Sequence, residues 1–83
     1  MEFEDKTVLV TGGASGLGRG ICLVLAERGA DVAVADVNLN GARAVEAEVS
    51  QHGHRAQAFG VDVTDEDEVR ALVDAATAAF GRI

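Results

Sequence analysis

Eighty-three residues provide for one small domain, and a domain of that size buries only about 60–65% of its unfolded surface, which leaves it marginal on its own. A hydrophobic fraction of 48% argues against a disordered segment, and three Phe without Tyr or Trp remove the aromatic platforms of single-strand nucleic-acid binders. Seven basic residues against fourteen acidic ones, a net charge of −7, repel phosphate backbones and anionic membranes, so neither is expected as a partner and any anion site must be made of backbone.

The chain opens on MEFEDK, acidic where a signal peptide is basic. No apolar run approaches membrane-spanning length. The single Cys22 has no internal disulfide partner, which suits a reducing compartment, and a cytoplasmic location is the expectation. TVLV (7–10) is a short apolar run ended by Gly12 and Gly13, the pattern of a strand buried on both faces. From Gly16 the period changes, and Leu17, Ile21, Val24 and Leu25 fall on one helical stripe, with Gly29 as the stop. DVAVAD (31–36) predicts a second strand that ends on an acid. Residues 40–52 predict a helix with Ala42, Val45 and Val49 inward and Arg43, Glu46 and Glu48 outward, closed by Gly53. RAQAFGVDV (55–63) predicts a third, weaker strand containing Gly60. Thr64 is then the expected cap of a helix whose first turn, Asp65, Glu66 and Asp67, suits the positive end of the helix dipole. Val69, Leu72, Val73, Ala76 and Phe80 form its stripe, and Gly81 stops it.

Strands alternating with helices of ten or more residues imply right-handed βαβ units and a parallel sheet. The expected class is α/β: a Rossmann-type doubly wound parallel sheet, of which this chain holds only the first βαβαβα half. With no proline, linker, repeat or low-complexity run, residues 1–83 read as one unit.

Five glycines crowd positions 12–20, directly after the first strand. Glycine is entropically costly, so the cluster calls for a use. In such sheets ligands bind beyond the carboxyl ends of the strands. There Gly12 would make the turn, Gly16 would let backbone approach a pyrophosphate, and Gly18 would let the helix lie close against the strand. The helix N-terminus would then offer free N–H groups and partial positive charge to the phosphates. The alternative is a glycine-rich turn with no ligand. A Walker A loop is excluded, because Arg19 and Gly20 follow Gly18 where Lys and Ser/Thr are required. Asp36 ends the second strand 18 positions after Gly18, where an acid is expected to take the ribose 2′-OH of NAD; its alternative is ordinary turn chemistry. DVT (62–64) lies at the same edge, beside the adenine position, though Asp62 and Thr64 are equally suited to capping the next helix.

The string TGGASGLG has the T-G-x3-G-x-G pattern and resembles the short-chain dehydrogenases/reductases. VLVTGGASGLGRGI, GADVAVAD, DVTDEDEV and the closing FGRI extend the likeness over the whole chain. The extended relatives that epimerise nucleotide sugars carry TGxxGxxG, which does not fit. The resemblance implies that the glycine loop holds a cofactor pyrophosphate, that Ser15 and Leu17 touch it, and that Asp36 takes the adenosine ribose. It also implies that Asp62 contacts adenine through its side chain and Val63 through its backbone. The implied activity is NAD-dependent hydride transfer to or from a secondary alcohol or ketone, in a homo-oligomeric parent. The family's Asn, Ser and Tyr-x3-Lys lie downstream of a fourth strand, whereas this chain stops at Ile83 and contains no Tyr. The expectation is an amino-terminal fragment with no catalytic residue of its own. A non-catalytic dinucleotide-binding module or sensor is the competing function. A methyltransferase is a third, but its loop normally follows an acid, and Thr11 stands there.

Other residues fit plainer roles. His52 and His54 flank Gly53 without neighbouring ligands at zinc spacing and read as a solvated turn. Cys22 reads as small-residue packing, and the acidic run 65–68 as helix N-terminal charge; no metal site is expected. Arg19 suits either a phosphate or solvent.

Overall fold

Strand β1 (Thr7–Thr11), helix α1 (Gly16–Glu27), β2 (Asp31–Asp36), α2 (Leu39–Gln51), β3 (Ala56–Gly60) and α3 (Glu66–Phe80) succeed one another in the computed structural model, which describes residues 3–81. The strands form one parallel sheet in the order β1-β2-β3. Thr7 pairs with Asp31 and Thr11 with Ala35 across the first ladder; Val32 pairs with Ala56 and Asp36 with Gly60 across the second.

The two faces of the sheet follow from strand alternation. Val10, Val32 and Val34 point to one side and pack with Cys22 and Ala26 of α1 and Ala42, Val45 and Val49 of α2. Ala33 and Ala35 point to the other side, where Leu72, Ala76 and Phe80 of α3 cover them. Helices therefore lie on both faces, the doubly wound α/β arrangement expected from the sequence. Val32, Val34 and Val49 are fully buried, each contributing about 1.5–3 kcal/mol relative to exposure. Arg55 ties the far end together, its guanidinium 5.0 Å from the Phe80 ring centroid and 3.5 Å from the Asp31 carboxylate.

Four local expectations are corrected. Helix α1 buries Gly18, Cys22 and Ala26, while Leu17, Ile21 and Val24 of the aliphatic stripe stay exposed. The small residues, spaced four apart, bring the helix axis close to the sheet, and bulk on that face would hold it off. In α3, Val73 of the predicted stripe is likewise exposed. Strand β3 ends at Gly60 rather than at residue 63, because the chain turns: Asp62 Oδ1 accepts from the Thr64 N–H at 2.9 Å and its hydroxyl at 2.6 Å. With Thr64 so engaged, the cap of α3 is Asp65, whose carboxylate accepts from the Asp67 and Glu68 amides. Burial pushes the Cys22 thiol above its ordinary pKa, in keeping with a packing role.

Among the described residues no helix is long and apolar enough to cross a membrane, and no group of three or more His, Cys, Asp or Glu is placed to hold a metal ion.

Strand β1 is at the sheet margin, with no second partner strand among the described residues. An unpaired edge is a template for intermolecular pairing, and the exposed aliphatics of α1 add to it. The 83-residue chain is expected to elute as a dimer or larger species in size-exclusion chromatography. A monodisperse monomer with strongly protected β1 amides would contradict this.

Candidate functional site

At the carboxyl end of β1 the chain turns through Gly12, whose φ of 67° lies in the left-handed region that favours glycine. Gly13 then donates to the Ala35 carbonyl at 3.0 Å, prolonging the β1–β2 ladder into the loop. A Cβ at Gly13 would come within 2.7 Å of Val34 Cγ1, and one at Gly18 within 2.1 Å of the Gly12 carbonyl oxygen. Gly18 thus serves a close approach of α1 to the turn itself, rather than to the strand. Gly16 is different: a Cβ there would meet nothing within 4 Å. Its bareness serves no packing among the described residues.

Ser15 caps α1. Its Oγ accepts from the Gly18 N–H at 3.1 Å and donates to the Gly12 carbonyl at 2.8 Å, and its carbonyl accepts from the Arg19 N–H at 2.7 Å. Of the four amides that open the helix, those of Gly16 and Leu17 are left over, at the positive end of the helix dipole. Arg19 turns to α2 instead of the loop: its Nε lies 2.7 Å from Glu48 Oε1 and its Nη2 bonds Glu48 Oε2.

The acid at the end of β2 faces the loop. Asp36 Oδ2 accepts from the Ala14 N–H at 3.0 Å, and Oδ1 accepts from the Asn38 N–H at 2.9 Å. The second bond is the turn chemistry anticipated for an acid here; the first, to a residue 22 positions away, is tertiary. Asp62 stands two residues beyond the end of β3 and is exposed. Its carboxyl is held below the ordinary carboxylate pKa chiefly by the Thr64 hydroxyl and then by the Thr64 amide.

Parallel strands place these ends at one sheet edge. Gly12, Asp36 and Asp62 line an open hollow of about 270 Å³ together with Val37, Val61 and Val63, near the lower end of small-molecule sites. Gly16 and Leu17 instead border a second, apolar hollow of about 380 Å³ along α1 with Ile21 and Val24. Gly18 lines neither and is buried against the Gly12–Gly13 turn, and Ser15 is the cap. Sequence reasoning missed Gly13, Ala14, Val37 and Val61. The second glycine of an adjacent pair was a signal for Gly13; a backbone amide such as Ala14's leaves none.

A family model described as short chain dehydrogenase matches residues 6–83. The cis-4-hydroxycyclohexanecarboxylate dehydrogenase of Sinomonas cyclohexanicum is 47% identical over 81 residues, which cover 98% of this chain and 32% of that protein. Among solved structures, 7 alpha-hydroxysteroid dehydrogenase complexed with NADH and 7-oxo glycochenodeoxycholic acid matches with a TM-score of 0.96 at 35% identity, covering 99% of this chain and 32% of that one. NAD+-bound xylitol dehydrogenase matches at 0.95 and 36% identity, covering 100% of this chain and 32% of that one. The chain spans about a third of the length of these relatives.

Three variants check the geometry without any ligand. Gly18→Ala is expected to lower stability by about 1–3 kcal/mol, the usual cost of overpacking, whereas Gly16→Val leaves the thermal midpoint nearly unchanged. Thr64→Val, which removes a hydroxyl donor, should raise the Asp62 pKa toward its ordinary value, read by an NMR pH titration of the carboxyl carbon. Because the folded pKa is the depressed one, the Asp62–Thr64 contribution is present above the unfolded pKa and is lost as pH falls through the folded value. An Asp62 titration unmoved by the substitution would remove Thr64 as the cause.

Proposed function

The chain belongs to the short-chain dehydrogenase family, and on that premise we propose that residues 1–83 are the amino-terminal Rossmann portion of an NAD-dependent oxidoreductase, supplying the adenosine and pyrophosphate half of the cofactor site. The observation that carries this reading is the hollow at the strand ends, where Gly12, Asp36, Asp62 and Val63 come together beside a helix N-terminus with two spare amides. The solved relatives described as complexed with NADH and bound to NAD+ support the choice of cofactor. The dehydrogenase relatives support a secondary alcohol or ketone as the substrate of the whole protein.

The residues fit the group. The Gly16 and Leu17 amides would donate to pyrophosphate oxygens, and the open space at Gly16 would admit them close to the backbone. Asp36 has two oxygens and about four acceptor sites; two are used by Ala14 and Asn38, which leaves two for the hydroxyls of a ribose diol. Val37 and Val61 would offer the adenine apolar surface, and Asp62 through its side chain and Val63 through its backbone would contact it. When bound, the nicotinamide supplies the hydride acceptor or donor. No residue of this chain is assigned to proton transfer; in the resemblance that task falls to a Tyr-x3-Lys pair, and these residues contain no Tyr.

The Asp36 carboxylate sets the cofactor choice. A 2′-phosphate would meet it as a like charge, at a cost of a few kcal/mol, on the order of 10²-fold in affinity. Isothermal titration of the full chain should therefore show NAD+ binding on the order of 10²-fold tighter than NADP+. Gly16→Val should abolish binding of both while the fold persists. Equal affinities for the two cofactors would reject the role of Asp36, and unchanged binding in Gly16→Val would reject that of the loop.

A further inference from the structure

Asp36 does more in this fold than stand ready for a ribose. The β1–β2 ladder continues past the strand end through the Gly13 N–H to the Ala35 carbonyl at 3.0 Å. At the next amide the ladder ends, and among the described residues no backbone acceptor takes the Ala14 N–H. The Asp36 carboxylate substitutes for one, accepting from Ala14 at 3.0 Å. The other side of Ala14 is equally confined: a Cβ at Gly41 would lie 2.8 Å from the Ala14 methyl, so the start of α2 packs directly on the loop. The same carboxylate fixes that start, since its second oxygen accepts from Asn38, the cap of α2. One side chain therefore joins the end of β2, the glycine loop and the first turn of α2.

From this geometry we infer that Asp36 is a positioning residue for the phosphate loop, in addition to the ribose contact proposed above. The inference rests on the reading of the loop as a phosphate site. Holding Ala14 fixes the turn between Gly12 and Ser15, hence the direction in which the spare Gly16 and Leu17 amides face. Ribose recognition and phosphate recognition are then coupled through one carboxylate, and a substitution that relieves repulsion toward a 2′-phosphate loosens the loop at the same time.

Inorganic pyrophosphate, which has no ribose, separates the two roles. The full chain is titrated with it by NMR as wild type, Asp36→Ala and Asp36→Asn. Charge alone makes both variants bind more tightly, because each removes a negative charge beside an anion. Positioning reverses the sign for one of them: Asp36→Ala is expected to bind about fivefold more weakly, the ordinary worth of one hydrogen bond. Asp36→Asn keeps an oxygen for the Ala14 N–H and is expected to bind at least as tightly as wild type. Equal or tighter binding by Asp36→Ala overturns the inference while leaving the phosphate site intact. A wild-type chain that ignores pyrophosphate overturns the phosphate reading and this inference with it, and does so before any variant is compared. A synthetic chain with the Ala14 amide replaced by an ester removes the donor with the carboxylate untouched, and decides the matter even if Asp36→Ala fails to fold. The same loss of about fivefold is expected, and unchanged affinity overturns the inference.

Discussion

The contact on which this structure depends is between two stretches of backbone: the Gly12 carbonyl and helix α1 at Gly18. They approach so closely that a Cβ at position 18 would sit 2.1 Å from the Gly12 oxygen. No side chain can stand in for such a contact, because its strength is the absence of one. From it follows the double use of Ser15, whose hydroxyl reaches the helix amide at Gly18 and the turn carbonyl at Gly12 together. The placement of the free α1 amides beyond the end of the sheet follows as well. The small-residue face of α1, Gly18, Cys22 and Ala26, continues the same requirement down the helix.

An acidic chain with a net charge of −7 offers a polyanion few cations, and the function proposed above relies on dipoles instead. Helix N-termini supply the positive potential. The nearest basic side chain, Arg19, is engaged by Glu48 across the α1–α2 interface, a half-exposed pair of the kind that adds little stability. The acids are settled by short-range bonds: Asp65 caps α3, Asp62 folds over Thr64, and Asp36 takes two amides. Each carboxylate near the site already serves a backbone N–H, so its charge is partly spent within the protein.

The site is an edge phenomenon. Parallel pairing sends the carboxyl ends of all three strands to one side, which is why residues as distant in sequence as Gly12, Asp36 and Asp62 share a hollow. Covering both sheet faces with helices leaves that edge as the place where backbone amides and acids can meet a ligand. Two of the valines that wall the hollow, Val37 and Val61, are the first residues after β2 and β3, where the chain leaves the sheet but has not yet entered a helix.

Much of this was legible in the sequence, for physical reasons. Period-two and period-3.6 patterns give away strands and helices because burial is one-sided. Helix α2, with Ala42, Val45 and Val49 inward, read correctly on that basis. The glycine loop and Asp36 announced themselves by position, since chain order alone puts them at the ends of β1 and β2. Tertiary structure decided the rest. The face of α1 was misread because periodicity weighs apolar bulk, whereas this helix packs by closeness and turns its larger aliphatics outward. The cap of α3 was expected at Thr64; it fell to Asp65 once Asp62 had captured Thr64, a matter of where β3 lets go of the sheet. The bond from the Ala14 amide to Asp36 had no signature at all, because every residue but proline carries the same N–H, and only the folded path of the chain determines which acceptor it meets.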